Sequence, residues 1–185
     1  MLNLNEIKTG KLLKIADEPY MVIKADHHKM GRGGAVLKTK LKNLISHNVI
    51  EKTFQGNDKA DEAITETEKA SYLYKTDTEA CFMNSETYEQ FNLPVKQIGE
   101  KLKFLKEGVD VDVLYFQNKP VVVNLPVKID LKVISAPPGV KGNSAGNVTK
   151  IVELETGAQI SAPMFINKDD IIRINTDTGE YVERA

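Results

Sequence analysis

Apolar residues in this chain come in short runs, and the clearest run repeats every second position. Across residues 35–44, Leu37, Thr39 and Leu41 fall on one side and Lys38, Lys40 and Lys42 on the other. That period of two marks a strand with one face buried and one in water. Short apolar segments also lie at 11–15 and 19–25, parted by Asp17-Glu18, and at 49–55, closed by Gly56-Asn57-Asp58. Gly, Asn and Asp at such junctions make turns. Four to five strands within about 60 residues is the size of an SH3-like barrel.

Strand signals continue to the end of the sequence. A polar, acidic stretch from Asp58 to Glu68 marks a boundary. Beyond it, segments 72–75 and 80–83 flank Thr76-Asp77-Thr78-Glu79, a hairpin signal. Residues 85–91 are expected as a short helix, with Asn84 or Ser85 capping its free N–H groups and Pro94 ending it. Segments 109–116 and 120–125 join at Gln117-Asn118-Lys119. Strands interrupted by one short helix suit a small OB-type barrel. A third unit opens with a strand at 127–135 and passes a Pro/Gly/Ser-rich loop at 136–147. It continues with strands at 150–154, 159–162, 171–175 and 181–183. Thr176-Asp177-Thr178-Gly179 joins the last two as a tight turn in which Gly179 takes a positive φ. The expected fold is all-β, with three small β-barrel domains at 1–62, 63–126 and 127–185. About 60 residues is marginal for an independent core, so the first two units are expected to share an interface.

Composition removes several function classes. The single cysteine, Cys81, has no partner for a disulfide, and Cys/His zinc spacing is lacking. A hydrophobic fraction of 41% with interspersed charges argues against a disordered chain. No apolar run reaches the roughly 18 residues of a membrane span, and no apolar signal region follows Met1. The expectation is a cytoplasmic protein in a reduced compartment, with no membrane partner.

The formal charge of −1 hides an uneven distribution. Residues 1–62 carry 11 basic and 8 acidic side chains, 63–126 carry 7 and 10, and 127–185 carry 7 and 8. From Ile23 to Ile45, Lys24, Lys29, Arg32, Lys38, Lys40 and Lys42 face only Asp26. His27 and His28 add to this stretch below neutral pH. An anionic surface met at one place explains such a stripe, and so does a solvated strand face.

The segment Lys29-Met30-Gly31-Arg32-Gly33-Gly34-Ala35 lies between two strands and forms a hairpin tip. Glycines on both sides let the chain turn sharply and leave Arg32 unshielded. Its planar guanidinium suits phosphates and base edges and stacks on bases. The basic strand that follows can bind a phosphate backbone. The alternative is a glycine-rich hairpin with an incidental arginine. A dinucleotide fingerprint is rejected, because the spacing differs and a strand follows where a helix is needed. Cys81 sits in an apolar strand signal and reads as a buried, inert thiol. His27, His28 and His47 lack metal-ligand spacing. Asp110/Asp112 and Glu153/Glu155 read as solvated strand residues, and Asp169-Asp170 as a turn. From the residues alone the chain is a multi-barrel binding protein with an exposed arginine hairpin, for RNA.

Taken together, these motifs resemble the bacterial elongation factor P family over essentially the whole chain. The resemblance rests on Asn5-Glu6-Ile7-Lys8-Thr9-Gly10, on Gly31-Arg32-Gly33 followed by Lys40-Leu41-Lys42-Asn43-Leu44, and on Glu51-Lys52-Thr53-Phe54. It continues in Phe82-Met83-Asn84-Ser85-Glu86-Thr87-Tyr88, Glu155-Thr156-Gly157-Ala158, Pro163-Met164-Phe165-Ile166 and Asp177-Thr178-Gly179-Glu180-Tyr181. It implies an SH3-like (KOW-like) domain followed by two OB-fold domains in an L-shaped, tRNA-like arrangement. It implies a monomeric translation factor, not an enzyme and without a cofactor, bound to the 70S ribosome between the P and E sites. Its partners would be rRNA and the P-site peptidyl-tRNA. It would stimulate peptide-bond formation on stalled polyproline sequences, with the Arg32 tip positioning the CCA end. Lys29, Met30, Gly31, Gly33, Gly34, Lys38, Lys40 and Lys42 are the expected tRNA- and rRNA-binding residues.

Most members carry a lysine at the tip and extend it with a lysyl-type modification. Arg32 after Met30-Gly31 resembles instead a branch in which an arginine rhamnosyltransferase modifies the tip, and residues 142–148 resemble that branch's third domain. Rhamnosylation of Arg32 is the resulting expectation. Lys168-Asp169-Asp170 departs from the family's usual glycine in that turn. The elongation factor P-like paralogue also carries arginine at the tip, but Thr178-Gly179-Glu180-Tyr181 favours elongation factor P proper. A general OB-type single-stranded RNA-binding protein is the alternative from another class. Acidic second and third units argue against it, because that binding mode needs stacking aromatics in a basic groove.

Overall fold

The structure is a computed structural model that describes residues 1–30, 34–138 and 149–185. It is nearly all β, in three antiparallel sheets. The first contains β1 (Leu2–Asn3), β2 (Leu12–Ile15), β3 (Glu18–Met30), β4 (Gly34–Asn43), β5 (Val49–Gln55) and β6 (Lys59–Glu62), in the spatial order β1-β6-β2-β3-β4-β5. Alternation on β4 is as expected: Leu37, Thr39 and Leu41 are buried, while Lys38 and Lys40 are exposed. The core beneath it gathers Ile7, Leu13, Val22, Leu37, Leu41 and Phe54. Ala16 and Asp17 both take positive φ between β2 and β3, the twist that a two-residue hairpin requires.

The second sheet runs β11-β10-β7-β8-β9, from β7 (Thr65–Lys75), β8 (Glu79–Asn84), β9 (Gln90–Pro94), β10 (Asp110–Phe116) and β11 (Lys119–Asn124). Phe82 is its central buried ring, 5.5 Å from Tyr72 and 5.6 Å from Phe91 between ring centres. The expected helix at 85–91 does not form. Asn84 is the reason: its carboxamide oxygen accepts the N–H groups of Glu86 and Thr87 at 2.8 and 3.0 Å, which closes a turn and returns the chain as β9. The helical residues come after Pro94 instead, as α1 (Val95–Ile98) and a 3-10 helix (Gly99–Phe104).

The third sheet runs β14-β13-β12-β15-β16, from β12 (Lys128–Ser135), β13 (Thr149–Leu154), β14 (Gln159–Pro163), β15 (Ile171–Asn175) and β16 (Tyr181–Arg184). Its core holds Leu131, Leu154, Ile166, Ile172 and Ile174. Gly179 takes φ 72° in the turn between β15 and β16, as expected. Residues 139–148, most of the expected loop, lie outside the described residues.

By packing, the chain divides into two compact units, Met1–Glu68 with Val113–Val122 and Lys69–Asp112 with Val123–Ala185. In the first, Phe116 and Val121 from the β10–β11 hairpin bury against Ala63, with Leu12 alongside. The apolar sharing expected between the first two sheets is supplied there. In the second, Phe104 leaves the 3-10 helix and enters the core of the third sheet, and Lys106 pairs with Glu155 at 3.3 Å.

One turn frame occurs at three places. Asn43, Asn84 and Asn175 each accept two N–H groups on the carboxamide oxygen. Four residues on, His47, Tyr88 and Gly179 donate to the asparagine carbonyl at 3.1, 3.0 and 2.8 Å, with φ 61°, 61° and 72°. A left-handed backbone at a residue with a Cβ costs about 1–2 kcal/mol. Glycine at 179 avoids it, and a Cβ there would stand 3.3 Å from the Phe104 ring.

Candidate nucleic-acid interface

The β3–β4 hairpin is the longest paired element of the first sheet. Its ladder runs from Tyr20↔Asn43 through Asp26↔Lys38 and His28↔Val36 to Lys29↔Ala35 and Met30↔Gly34. The third strand stops earlier: β5 pairs with β4 only as far as Val36↔Gln55. Beyond that pair one more bond follows, from the Gly56 N–H to the Ala35 carbonyl at 3.0 Å, and the hairpin then continues as a two-stranded ribbon. Two residue steps from Val36 to Gly34 amount to roughly 7 Å of strand. Lys29, Met30 and Gly34 are placed by backbone register alone. Gly31, Arg32 and Gly33 lie outside the described residues.

Register sets the electrostatics of the face below the tip. Lys24, Lys40 and Glu51 form one cross-strand row, and Asp26, Lys38 and Thr53 the next. Lys24 pairs with Asp26 at 2.7 Å and Lys40 with Glu51 at 3.1 Å. The hydrogen bond from Lys24 holds the Asp26 carboxyl below its ordinary range, and the same bond raises Lys24. Asp26 is thus not the only acid on the face. Glu51 comes from β5, nine residues beyond the basic run in sequence, and the ladder brings it beside Lys40. Lys38 and Lys42 have no ion pair among the described residues; Lys38 is exposed and Lys42 half-buried. Lys24, Lys38, Lys40, Glu51 and Thr53 line a shallow open groove on this face. The structure therefore brings Lys38 and Lys40 together on one face and separates them chemically: one is paired, the other available.

The weaker candidates resolve into structural roles. Cys81 is buried on β8, and its thiol beside the Tyr74 hydroxyl pushes that phenol up. Asp110 accepts from Ser71 at 2.8 Å. Glu155 accepts the Lys132 N–H at 3.0 Å and pairs with Lys106. Asp170 closes its turn by accepting the Asn167 N–H at 2.8 Å. His47 occupies the left-handed position of its turn. Among the described residues, no three His, Cys, Asp or Glu side chains gather as a metal site, and no helix is long and apolar enough to cross a membrane. Sequence reading missed the Glu51 partner and the repeated turn. The asparagine four residues before His47, Tyr88 and Gly179 is the signal for the latter.

Comparison with known proteins gives consistent results. The model of the elongation factor P KOW-like domain matches residues 3–60, that of the elongation factor P OB domain 65–123, and that of the elongation factor P C-terminal domain 129–184. Proteins named elongation factor P from Endomicrobium trichonymphae, Pelotomaculum thermopropionicum and Moorella thermoacetica are 38%, 40% and 39% identical, each over the full length of both chains. Among solved structures, a eukaryotic translation initiation factor 5A from Methanococcus jannaschii matches 66% of this chain and 92% of its own, with TM-score 0.56 and 22% identity. That last match concerns the fold alone.

Proposed function

This chain belongs to the elongation factor P family of translation factors, and we propose that it acts beside the P-site peptidyl-tRNA of the 70S ribosome to relieve stalling on consecutive prolines. The observation that carries this reading is the hairpin: a ribbon that outruns its sheet toward the segment that holds Arg32 in sequence, above a face where, among the described residues, Lys38 and Lys42 have no ion pair. Proline is a rigid and poorly oriented substrate for attack. A preordered contact on the CCA end lowers the entropic part of that barrier without any chemistry by the factor itself. In this reading Arg32 makes the tip contact, with Lys29, Met30, Gly31, Gly33 and Gly34 shaping it. Lys38 and Lys42 bind RNA phosphate directly, and Lys40 joins them where phosphate displaces its exposed pair with Glu51. The factor is a cytoplasmic monomer and is not an enzyme.

Arg32 also bears a rhamnose in this reading, added by an arginine rhamnosyltransferase. Support comes from an arginine where most of the family has lysine. The sugar lengthens the tip and adds hydroxyls for hydrogen bonds to RNA. Intact mass of natively expressed protein decides this part, and an unmodified Arg32 refutes it. The main test is reconstituted translation of a three-proline template. The chain is expected to restore full-length product, and Arg32→Ala to abolish rescue while the protein still folds. Normal rescue by Arg32→Ala would remove the assigned role.

A further inference from the structure

We propose that the turn at residues 84–89 is a docking point for an arginine-bearing, cationic protein segment, with the Tyr88 ring as the platform for the guanidinium. The turn is held rigidly. Asn84 is buried, its carboxamide takes two N–H groups, and its own N–H donates to the Glu89 carbonyl at 2.9 Å. Tyr88 sits at φ 61°, where glycine or asparagine is the relaxed choice. The residue is 70% exposed, so internal packing offers little to offset the backbone cost. The equivalent place in the third sheet makes the contrast. A Cβ on Gly179 would stand a tight 3.3 Å from the Phe104 ring, whereas position 88 displays a large aromatic ring to solvent. His47 holds the same φ and is also exposed, so what sets Tyr88 apart is a large exposed aromatic ring in a turn that carries two carboxylates.

Charge selects the class of partner. Glu86 and Glu89 lie in the same turn and are exposed. Lys69 is the cation beside it, its carbonyl accepting the Ser85 N–H at 2.9 Å. The turn itself bears two carboxylates and no cation, which disfavours a phosphate backbone. An aromatic face flanked by carboxylates suits a guanidinium, which stacks on the ring while its N–H groups reach the acids.

The test is titration of the full-length, isotope-labelled chain with a short peptide alternating glycine and arginine, followed by amide and ring resonances. The expected changes centre on residues 84–89 and on the Tyr88 ring. Replacing arginine by citrulline in the peptide should remove them. Tyr88→Asn should weaken binding by about two- to fivefold and should melt no lower than the parent, since asparagine tolerates the same backbone. Equal binding by Tyr88→Asn, equal binding of the citrulline peptide, or changes centred elsewhere would overturn the proposal. So would a lower melting temperature for Tyr88→Asn, which makes the ring structural. An oligouridine RNA that shifts residues 84–89 as strongly as the peptide would also overturn it, by making the turn a nucleic-acid platform.

Discussion

The face around Lys38 and the face around Arg173 are both antiparallel sheet surfaces dense in charge, and they use that charge differently. Around Arg173 on the third sheet, three cations are matched within the fold. Arg173 forks onto Asp130 at 2.7 and 2.9 Å and reaches Glu183 at 2.8 Å, Lys132 pairs with Asp169 at 2.7 Å, and Arg184 with Asp170 at 2.9 Å. On the hairpin face of the first sheet, Lys24 and Lys40 are matched, by Asp26 and Glu51, while among the described residues Lys38 and Lys42 have no ion pair. A matched cation is committed to its own domain. An unmatched one on the exposed hairpin face, as Lys38 is, is available to a phosphate at little desolvation cost. Counting basic residues does not separate these cases; cross-strand register does.

The comparison breaks most easily at the buried apolar contacts, because ion pairs at exposed sheet surfaces contribute little. If the third domain is held by its core and its charges only trim it, Phe104→Ala should have the largest effect. Loss of that ring from the third-sheet core should cost about 3–5 kcal/mol, read as a lower midpoint in urea denaturation. A loss below about 1 kcal/mol would mean the ring is dispensable there.

A smaller effect should appear with pH. Hydrogen bonds from Arg173 lower the folded-state pKa of Asp130 from 3.8, and those from Lys132 lower Asp169 from the same value. A depressed carboxyl contributes stability that is present above the unfolded value and is lost as pH falls through the folded one. Melting temperature should therefore drop on going from about pH 5 to about pH 2.5, and Asp130→Asn should make that drop shallower. An unchanged acid limb in the variant would detach Asp130 from the pH dependence.

Much of this was legible in sequence, for local reasons. Period two on residues 35–44 put Leu37, Thr39 and Leu41 inside, and the β5 and β15 spans and the positive φ of Gly179 were read from turn chemistry. The helix expected at 85–91 failed because an asparagine that caps a helix can equally close a turn, and the neighbouring residues do not choose between them. β6 was missed since Lys59–Glu62 is polar and becomes a strand only by pairing with β1 and β2, which are distant in sequence. At the site, the outward face of Lys38 and Lys40 was readable. The neutralising Glu51 was not, because it is adjacent only after β4 and β5 align.

The finest prediction concerns that pair. Glu51→Gln releases Lys40 and should make the two faces still more unlike. Affinity for 70S ribosomes at low salt should rise by about 1.5- to fivefold, as read by filter binding. A fall would mean that Glu51 itself contacts the ribosome.

Salt dependence of ribosome binding, compared between the two faces, tests most directly the claim that the hairpin face meets RNA. Each phosphate contact contributes about 0.7–0.9 to the slope of log affinity against log salt. Lys38→Ala/Lys42→Ala should reduce that slope by about 1.4–1.8 with little change in melting temperature, while Lys132→Ala should leave the slope as it is. Equal slopes for the parent and the Lys38/Lys42 variant, or a larger loss from Lys132→Ala, would contradict the account.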